Sequence, residues 1–176
     1  MILQRITTPG LAHFSYFIAS GGKSAVVDPR RDCEVYMNLA REQGCGIDYI
    51  FETHRNEDLV SGAPVLAERT GAKVLHGPNA AGEVEYAETA REGNSYTLGT
   101  LELQVLETPG HTPIHISLFG ESDEPHFLCG DTLFNAGVGH CRSGDPKVLY
   151  ATFRDKVSKL PDTTRVYPGH DYIANN

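Results

Sequence analysis

Four stretches of this 176-residue chain share one layout, and that layout constrains the fold more than any other feature. They are Phe51-Glu52-Thr53-His54-Arg55-Asn56-Glu57-Asp58-Leu59, Thr108-Pro109-Gly110-His111-Thr112, Cys129-Gly130-Asp131-Thr132-Leu133-Phe134 and Tyr167-Pro168-Gly169-His170-Asp171-Tyr172. In each, an apolar, β-prone run stops and a histidine or aspartate able to hold a metal follows, with a small or turn-forming residue between them in three of the four. Loops leaving a rigid sheet are where binding groups are usually held. Four strand ends meeting on one rim would gather His54, His111, Asp131 and His170.

The rest of the chain reads as mixed α/β. Ile2–Ile6, His13–Ala19 and Ser24–Asp28 read as short strands separated by Pro9-Gly10 and Gly21-Gly22. Asp32 is placed to cap a helix from Cys33 to Gln43 that buries Val35, Leu39 and Ala40, with Gly44 ending it. Ile47–Thr53 is a strand delivering His54, and a second helix starts at Ser61 or Gly62, carries Val65 and Leu66, and stops at Gly71 before a strand Lys73–His76. Leu101, Leu103 and Val105 alternate with Glu102 and Gln104, the period of a half-buried strand, and Ile116 and Leu118 continue it. Asp145-Pro146 forms the cap and first turn of a helix bearing Leu149, Phe153, Val157 and Leu160, closed by Pro161. Glu83–Asn94, rich in glutamate, reads as a solvated loop region.

The four motifs resemble the metallo-β-lactamase superfamily, and within it the glyoxalase II and persulfide dioxygenase branch. The resemblance runs from Val26-Val27-Asp28-Pro29 to Tyr172. It implies a single αββα sandwich domain over residues 1–176, which pattern alone would give only as mixed α/β. The family's His-x-His-x-Asp-His motif reads here as His54-Arg55-Asn56-Glu57-Asp58-Leu59, so two of its three histidines are missing. By the resemblance, one ion of a two-metal site would fall to His54, Asn56, His111 and Asp131, and the other to Asp58, Leu59, His170 and Asp131.

The two losses differ in kind. Leucine has no lone pair, and an asparagine amide is a poor ligand for iron or zinc beside imidazole and carboxylate. The first site keeps His54, His111 and Asp131, two imidazoles and a carboxylate with open positions, which is the facial triad of non-haem Fe(II) oxygenases. Catalytic zinc also accepts two histidines, a carboxylate and water. Persulfide dioxygenases of the superfamily use the equivalent three residues, so the resemblance implies a persulfide dioxygenase with one Fe(II), taking a low-molecular-weight thiol persulfide and O₂. A zinc thioester hydrolase of the glyoxalase II type is the alternative, and a non-catalytic domain of the same fold is a third reading. The resemblance further implies supporting roles for Asp58 and His170 at the metal. It also implies thiol recognition by Tyr172, with His140 and Arg142 following Gly137-Val138-Gly139 where relatives carry a basic residue.

Composition excludes other classes. A net charge of -8 with no basic run argues against nucleic acid as a partner. Length suits one domain burying roughly 70% of its unfolded surface. No apolar run is long enough for a signal peptide or membrane span, so the expected compartment is the cytoplasm. Cys33, Cys45, Cys129 and Cys141 form no Cys-x-x-Cys pair and read as buried reduced thiols. His13, His76, His115 and His126 read as satisfied or exposed side chains rather than ligands, Asp28 as an acceptor beneath the site, and Arg30-Arg31 as a solvated pair. The chain stops six residues past His170, where relatives continue with helical material. A C-terminal rhodanese partner or a homo-oligomer is the expected association.

Overall fold

The computed structural model describes residues 1–55, 59–78 and 84–172. Among them are two sheets. The first contains β1 (Ile2–Thr7), β2 (Phe14–Ser20), β3 (Lys23–Val27), β4 (Gly46–Glu52), β5 (Lys73–His76) and β6 (Glu88–Thr89), side by side in that order. The second contains β7 (Ser95–Leu98), β8 (Leu101–Glu107), β9 (Ile116–Glu121), β10 (Pro125–Gly130) and β11 (Arg165–Pro168), again in chain order across the sheet.

Period-2 alternation splits the side chains between two cores. Phe14, Tyr16 and Ile18 of β2, with Phe51 and Leu75, meet Leu101, Leu103, Val105, Ile116 and Leu118 from the second sheet. The intervening residues Phe17, Val26, Ile50 and Val74 turn to the other face. There they pack on Tyr36, Leu39 and Ala40 of α1 (Glu34–Glu42) and on Ala63 and Leu66 of α2 (Ala63–Thr70). The third helix, α3 (Pro146–Asp155), leans on the loop after β8, where the Thr152 hydroxyl donates to Pro109 O at 2.7 Å. The expected αββα sandwich is the observed fold.

Strand direction makes the rim. β3, β4 and β5 are mutually parallel, so Asp28, His54 and His76 emerge at one edge. β8 and β10 both run antiparallel to β9, and β11 runs parallel to β10. His111, Asp131 and His170 therefore leave the second sheet at a common edge as well. Backbone hydrogen bonds stitch the edges together, among them Ile116 N to Thr53 O at 2.8 Å, Phe14 N to Gly169 O at 2.7 Å and Asp171 N to Ala12 O at 3.1 Å.

Several local expectations need correction. Asp32 does not cap α1: Cys33 occupies the N-cap without a side-chain bond, and the Asp32 carboxylate accepts from Arg30 Nη2 at 3.2 Å. The buried face of α1 is led by Tyr36, whereas Val35 is only partly buried. Arg30 is not solvated, because its Nη1 donates to Thr7 O at 2.7 Å. α3 ends at Asp155, and Val157 opens a separate 3₁₀ turn to Lys159. Lys156 sits between the two with its ammonium held by Glu92 Oε2 at 2.7 Å and Glu107 O at 2.5 Å. The described part of Glu83–Asn94 is more than loop: it contributes β6, and Ala90 is fully buried. Among the thiols, Cys33 and Cys129 are buried while Cys45 and Cys141 are half-buried, and all four are free. No helix is long and apolar enough to cross a membrane among the described residues.

Candidate metal centre

His54 follows Thr53 at the end of β4, and its ring is set from beneath. The buried Asp28 carboxylate accepts from Thr53 N at 2.8 Å and from the Thr53 hydroxyl at 2.7 Å. With its proton committed to Asp28, Thr53 Oγ1 must accept from His54 Nδ1–H, 2.9 Å away. The Nε2 lone pair is then left for a ligand. His111 reaches the same state by another route, since its Nδ1–H donates to His140 O at 2.6 Å. Such partners on the remote nitrogen fix the tautomer of metal-binding histidines.

Asp131 completes the set. Its Oδ1 accepts from His170 Nδ1 at 2.7 Å, while Oδ2 lies 3.6 Å from His54 Nε2 and 3.5 Å from His111 Nε2. One ligand atom from each of His54, His111 and Asp131 falls within 4.8 Å of the others, and all three residues are buried. Burial alone would raise the Asp131 pKa, but contacts with His170 and His54 hold it far below the usual carboxylate range. Burial, then the neighbouring His54, lowers His111, so the imidazole stays available as a neutral ligand. Two glycines admit this closeness: a Cβ at Gly169 would stand 2.5 Å from Asp131 Oδ1, and one at Gly139 would stand 2.7 Å from His111 Nδ1.

His115 was not expected among the ligands and lies outside the His54, His111 and Asp131 set, but it supports that set. It is buried, its Nε2 accepts from Asp131 N at 3.2 Å, and its Nδ1 lies 2.9 Å from Thr108 Oγ1. Its ring stacks on His54 with centroids 4.8 Å apart and planes 20° off parallel. Burial, then His54, lowers its pKa well below the ordinary value, matching the acceptor role. Thr53 was likewise missed. The spacing of His115 four residues after His111 was the one available signal.

The remaining expected residues fall as follows. His170 orients Asp131 and stacks on Tyr172 with centroids 5.4 Å apart. Tyr172 and His140 line a cavity of about 230 Å³ over His111 and Asp131, with Phe134 and Val138 among its apolar walls. Arg142 is exposed and is not among the lining residues, although its backbone N–H reaches His140 Nδ1 at 3.4 Å. Asp58 and Asn56 lie outside the described residues. Leu59 is half-buried. His13, His76 and His126 are all buried, with His13 Nδ1 2.8 Å from Thr8 Oγ1 and His126 Nδ1 3.0 Å from Tyr167 OH.

Two sheets packed face to face, helices outside, and a buried His-His-Asp set at the common rim define a metal-binding αββα sandwich. The profile of the metallo-β-lactamase superfamily matches residues 8–170. The chain belongs to that superfamily. A hydroxyacylglutathione hydrolase of Polaromonas sp. is 40% identical across the whole chain, which spans 69% of that protein. The crystal structure of ETHE1 from Myxococcus xanthus superposes with a TM-score of 0.86 at 28% identity, covering 100% of this chain and 78% of that one. The structure of TTHA1623 in a di-iron-bound form gives 0.77 at 27% identity, covering 95% and 91%.

Proposed function

We propose that the chain is a mononuclear non-haem Fe(II) persulfide dioxygenase, converting a low-molecular-weight thiol persulfide, O₂ and water to sulfite and the free thiol. The observation that carries the reading is the asymmetry of the ligand set. His54, His111 and Asp131 converge, whereas two histidine positions of the paired site hold Asn56 and Leu59. Loss of those positions removes what a two-metal hydrolase requires and leaves what a facial-triad iron requires. The resemblance to the persulfide dioxygenase branch of the superfamily supports the same choice, and the likeness to ETHE1 fits the same fold.

The donor chemistry fits one such ion. Two Nε2 lone pairs and Asp131 Oδ2 face a common point, and each imidazole has its other nitrogen committed. Iron, when bound, supplies the O₂ chemistry. The protein's part is to orient and to exclude water. Asp131 is kept anionic, and His170 occupies its second oxygen so that a single oxygen remains for the metal. Phe134, Val138 and Tyr172 provide a mostly apolar wall over the centre, suited to a sulfur chain that must be shielded from bulk water.

The second reading is a one-zinc thioester hydrolase. It is favoured by the identity to hydroxyacylglutathione hydrolases and by zinc's tolerance of the same ligands. Metal analysis of protein purified from metal-replete medium, run beside an oxygen electrode with glutathione persulfide, separates the two. Iron near one per chain with O₂ uptake and sulfite release is expected. Zinc at that stoichiometry with oxygen-independent cleavage of an acylglutathione would replace the dioxygenase reading, and failure to retain any metal would remove both.

A further inference from the structure

A second cavity, of about 320 Å³, borders His54 but, among the described residues, shares no lining residue with the cavity over His111 and Asp131. Its polar walls are Glu52, Arg55, Ser61, His76 and Tyr86. Glu52 and His76 close β4 and β5 and are register partners, so their side chains share one face of the sheet. Residues two places earlier, Ile50 and Val74, are on the same face and belong to the apolar core beneath α1 and α2. A buried carboxylate and a buried imidazole therefore continue an apolar face, where burial of ionisable groups is costly unless they are partnered.

Glu52 is partnered. Its carboxylate accepts from the Tyr86 hydroxyl, 2.9 and 3.0 Å from its two oxygens, and from the Ser61 hydroxyl. His76 is satisfied on one side only. Its Nδ1 donates to Gly77 O at 3.1 Å, and the Nε2 atom is buried with no hydrogen-bond partner. It does not pair with the neighbouring Glu52, so the two are not a structural ion pair closing on itself. Buried polar atoms are nearly always bonded, and one left open beside a cavity marks a place for a donor. Arg55 is exposed and, among the described lining residues, brings the one guanidinium or ammonium group, close enough for its charge to act on Tyr86.

We propose that this cavity binds the zwitterionic head of a small α-amino acid, its ammonium donating to Glu52 and His76 Nε2 and its carboxylate meeting Arg55. Two acceptors inside and one cationic donor at the exposed residue match both halves of that group, whereas a simple amine or carboxylate meets only one of them. The volume stands at the lower end of small-molecule sites, roughly 300–1,000 Å³, which suits a single amino acid rather than a tripeptide. This site is independent of which reaction the metal centre runs.

The test is a titration of the full chain, labelled with ¹⁵N-histidine, with L-alanine, ethylamine and propionate in the absence of persulfide. L-alanine is expected to shift the His76 Nε2 resonance saturably, and each half-ligand to bind at least about tenfold more weakly, the worth of one charge-assisted hydrogen bond. Arg55→Gln, at an exposed position, is expected to weaken L-alanine about tenfold or more and to leave ethylamine unchanged. Glu52→Gln should weaken both, and if it fails to fold the arginine variant still decides. No saturable change at His76, perturbation confined to His140 and its cavity, or equal binding of ethylamine and L-alanine would each overturn the site. None of these outcomes bears on O₂ uptake, so failure here and failure of the dioxygenase reading are read separately.

Discussion

Replacing Asp28 by asparagine is expected to weaken metal binding without weakening the fold. In the parent, Asp28 can only accept, which commits the Thr53 proton at 2.7 Å and forces Thr53 Oγ1 to accept from His54 Nδ1–H at 2.9 Å. Asparagine keeps an oxygen for Thr53 N, 2.8 Å away, but turns its amide N–H₂ toward the hydroxyl. The Thr53 proton is then redirected to His54 Nδ1, which becomes the acceptor, and His54 Nε2 acquires the hydrogen. A protonated Nε2 cannot ligate, so metal affinity should fall about 10–100-fold, the usual size of such orienting effects. The stability effect runs the other way. Burial, opposed by the His54 charge and the Thr53 hydrogen bonds, raises the Asp28 pKa from 3.8 to about 6. A raised carboxyl contributes fully below 3.8 and loses that contribution as pH climbs through about 6, a fall of about 3 kcal/mol for two units. Asp28→Asn removes that fall, so at pH 7 the variant should unfold at a denaturant midpoint no lower than the parent. Anaerobic Fe(II) competition against a chromophoric chelator, with denaturant curves at pH 4 and pH 7, reads both quantities. Unchanged affinity, or affinity lost only together with stability, would refute the proton relay.

Gly169→Ala places a methyl 2.5 Å from Asp131 Oδ1 and 3.2 Å from Gly130 C, so Asp131 must shift; a loss of about 1–3 kcal/mol in stability is expected by denaturant titration, with weaker metal uptake. His115→Phe keeps a ring against His54 but leaves the Asp131 N–H without its 3.2 Å acceptor, and should lower unfolding free energy by about 1–3 kcal/mol; a parent-like denaturation curve would count against the supporting role. Leu66→Ala, at a fully buried position, should cost about 2–5 kcal/mol, whereas Val65→Ala, 37% exposed on the same helix, should stay within about 0.5 kcal/mol by the same measurement.

The sequence revealed those parts of the fold that obey a short-range rule. Leu101, Leu103 and Val105 alternate because β8 buries one face, and Asp145 caps α3 because its carboxylate can reach Lys147 N, here at 2.7 Å. Gly71 ends α2 because its φ of 74° suits a residue without a side chain. The misses involve competing partners, most of them distant in the chain. Asp32 has the right chemistry for a cap, yet Arg30 competes for its carboxylate. The periodic stripe of α3 runs on to Leu160, yet Lys156 is drawn to Glu92 and Glu107 and the helix stops there. Glu88–Thr89 pairs as β6 and Ala90 after it is buried because β5 offers an edge, which the run of glutamates does not disclose.

The site divides along the same line. His54, His111 and Asp131 were visible because each follows the end of an apolar run, and turn residues precede the latter two. What decides whether they can ligate was not visible. The tautomer of His54 depends on Thr53 and Asp28, and that of His111 on the carbonyl oxygen of His140, a group every residue possesses. The place of His115 depends on the two sheets meeting, where Ile116 N bonds Thr53 O at 2.8 Å and brings the His115 ring against His54. Which atoms can bind a metal is thus written in residue type, but which nitrogen carries the proton is written in the packing. The same three ligands held without Asp28, Thr53 and the His140 carbonyl would be free to turn their N–H edges inward, and the centre would lose its hold on a metal while its sequence motif remained intact.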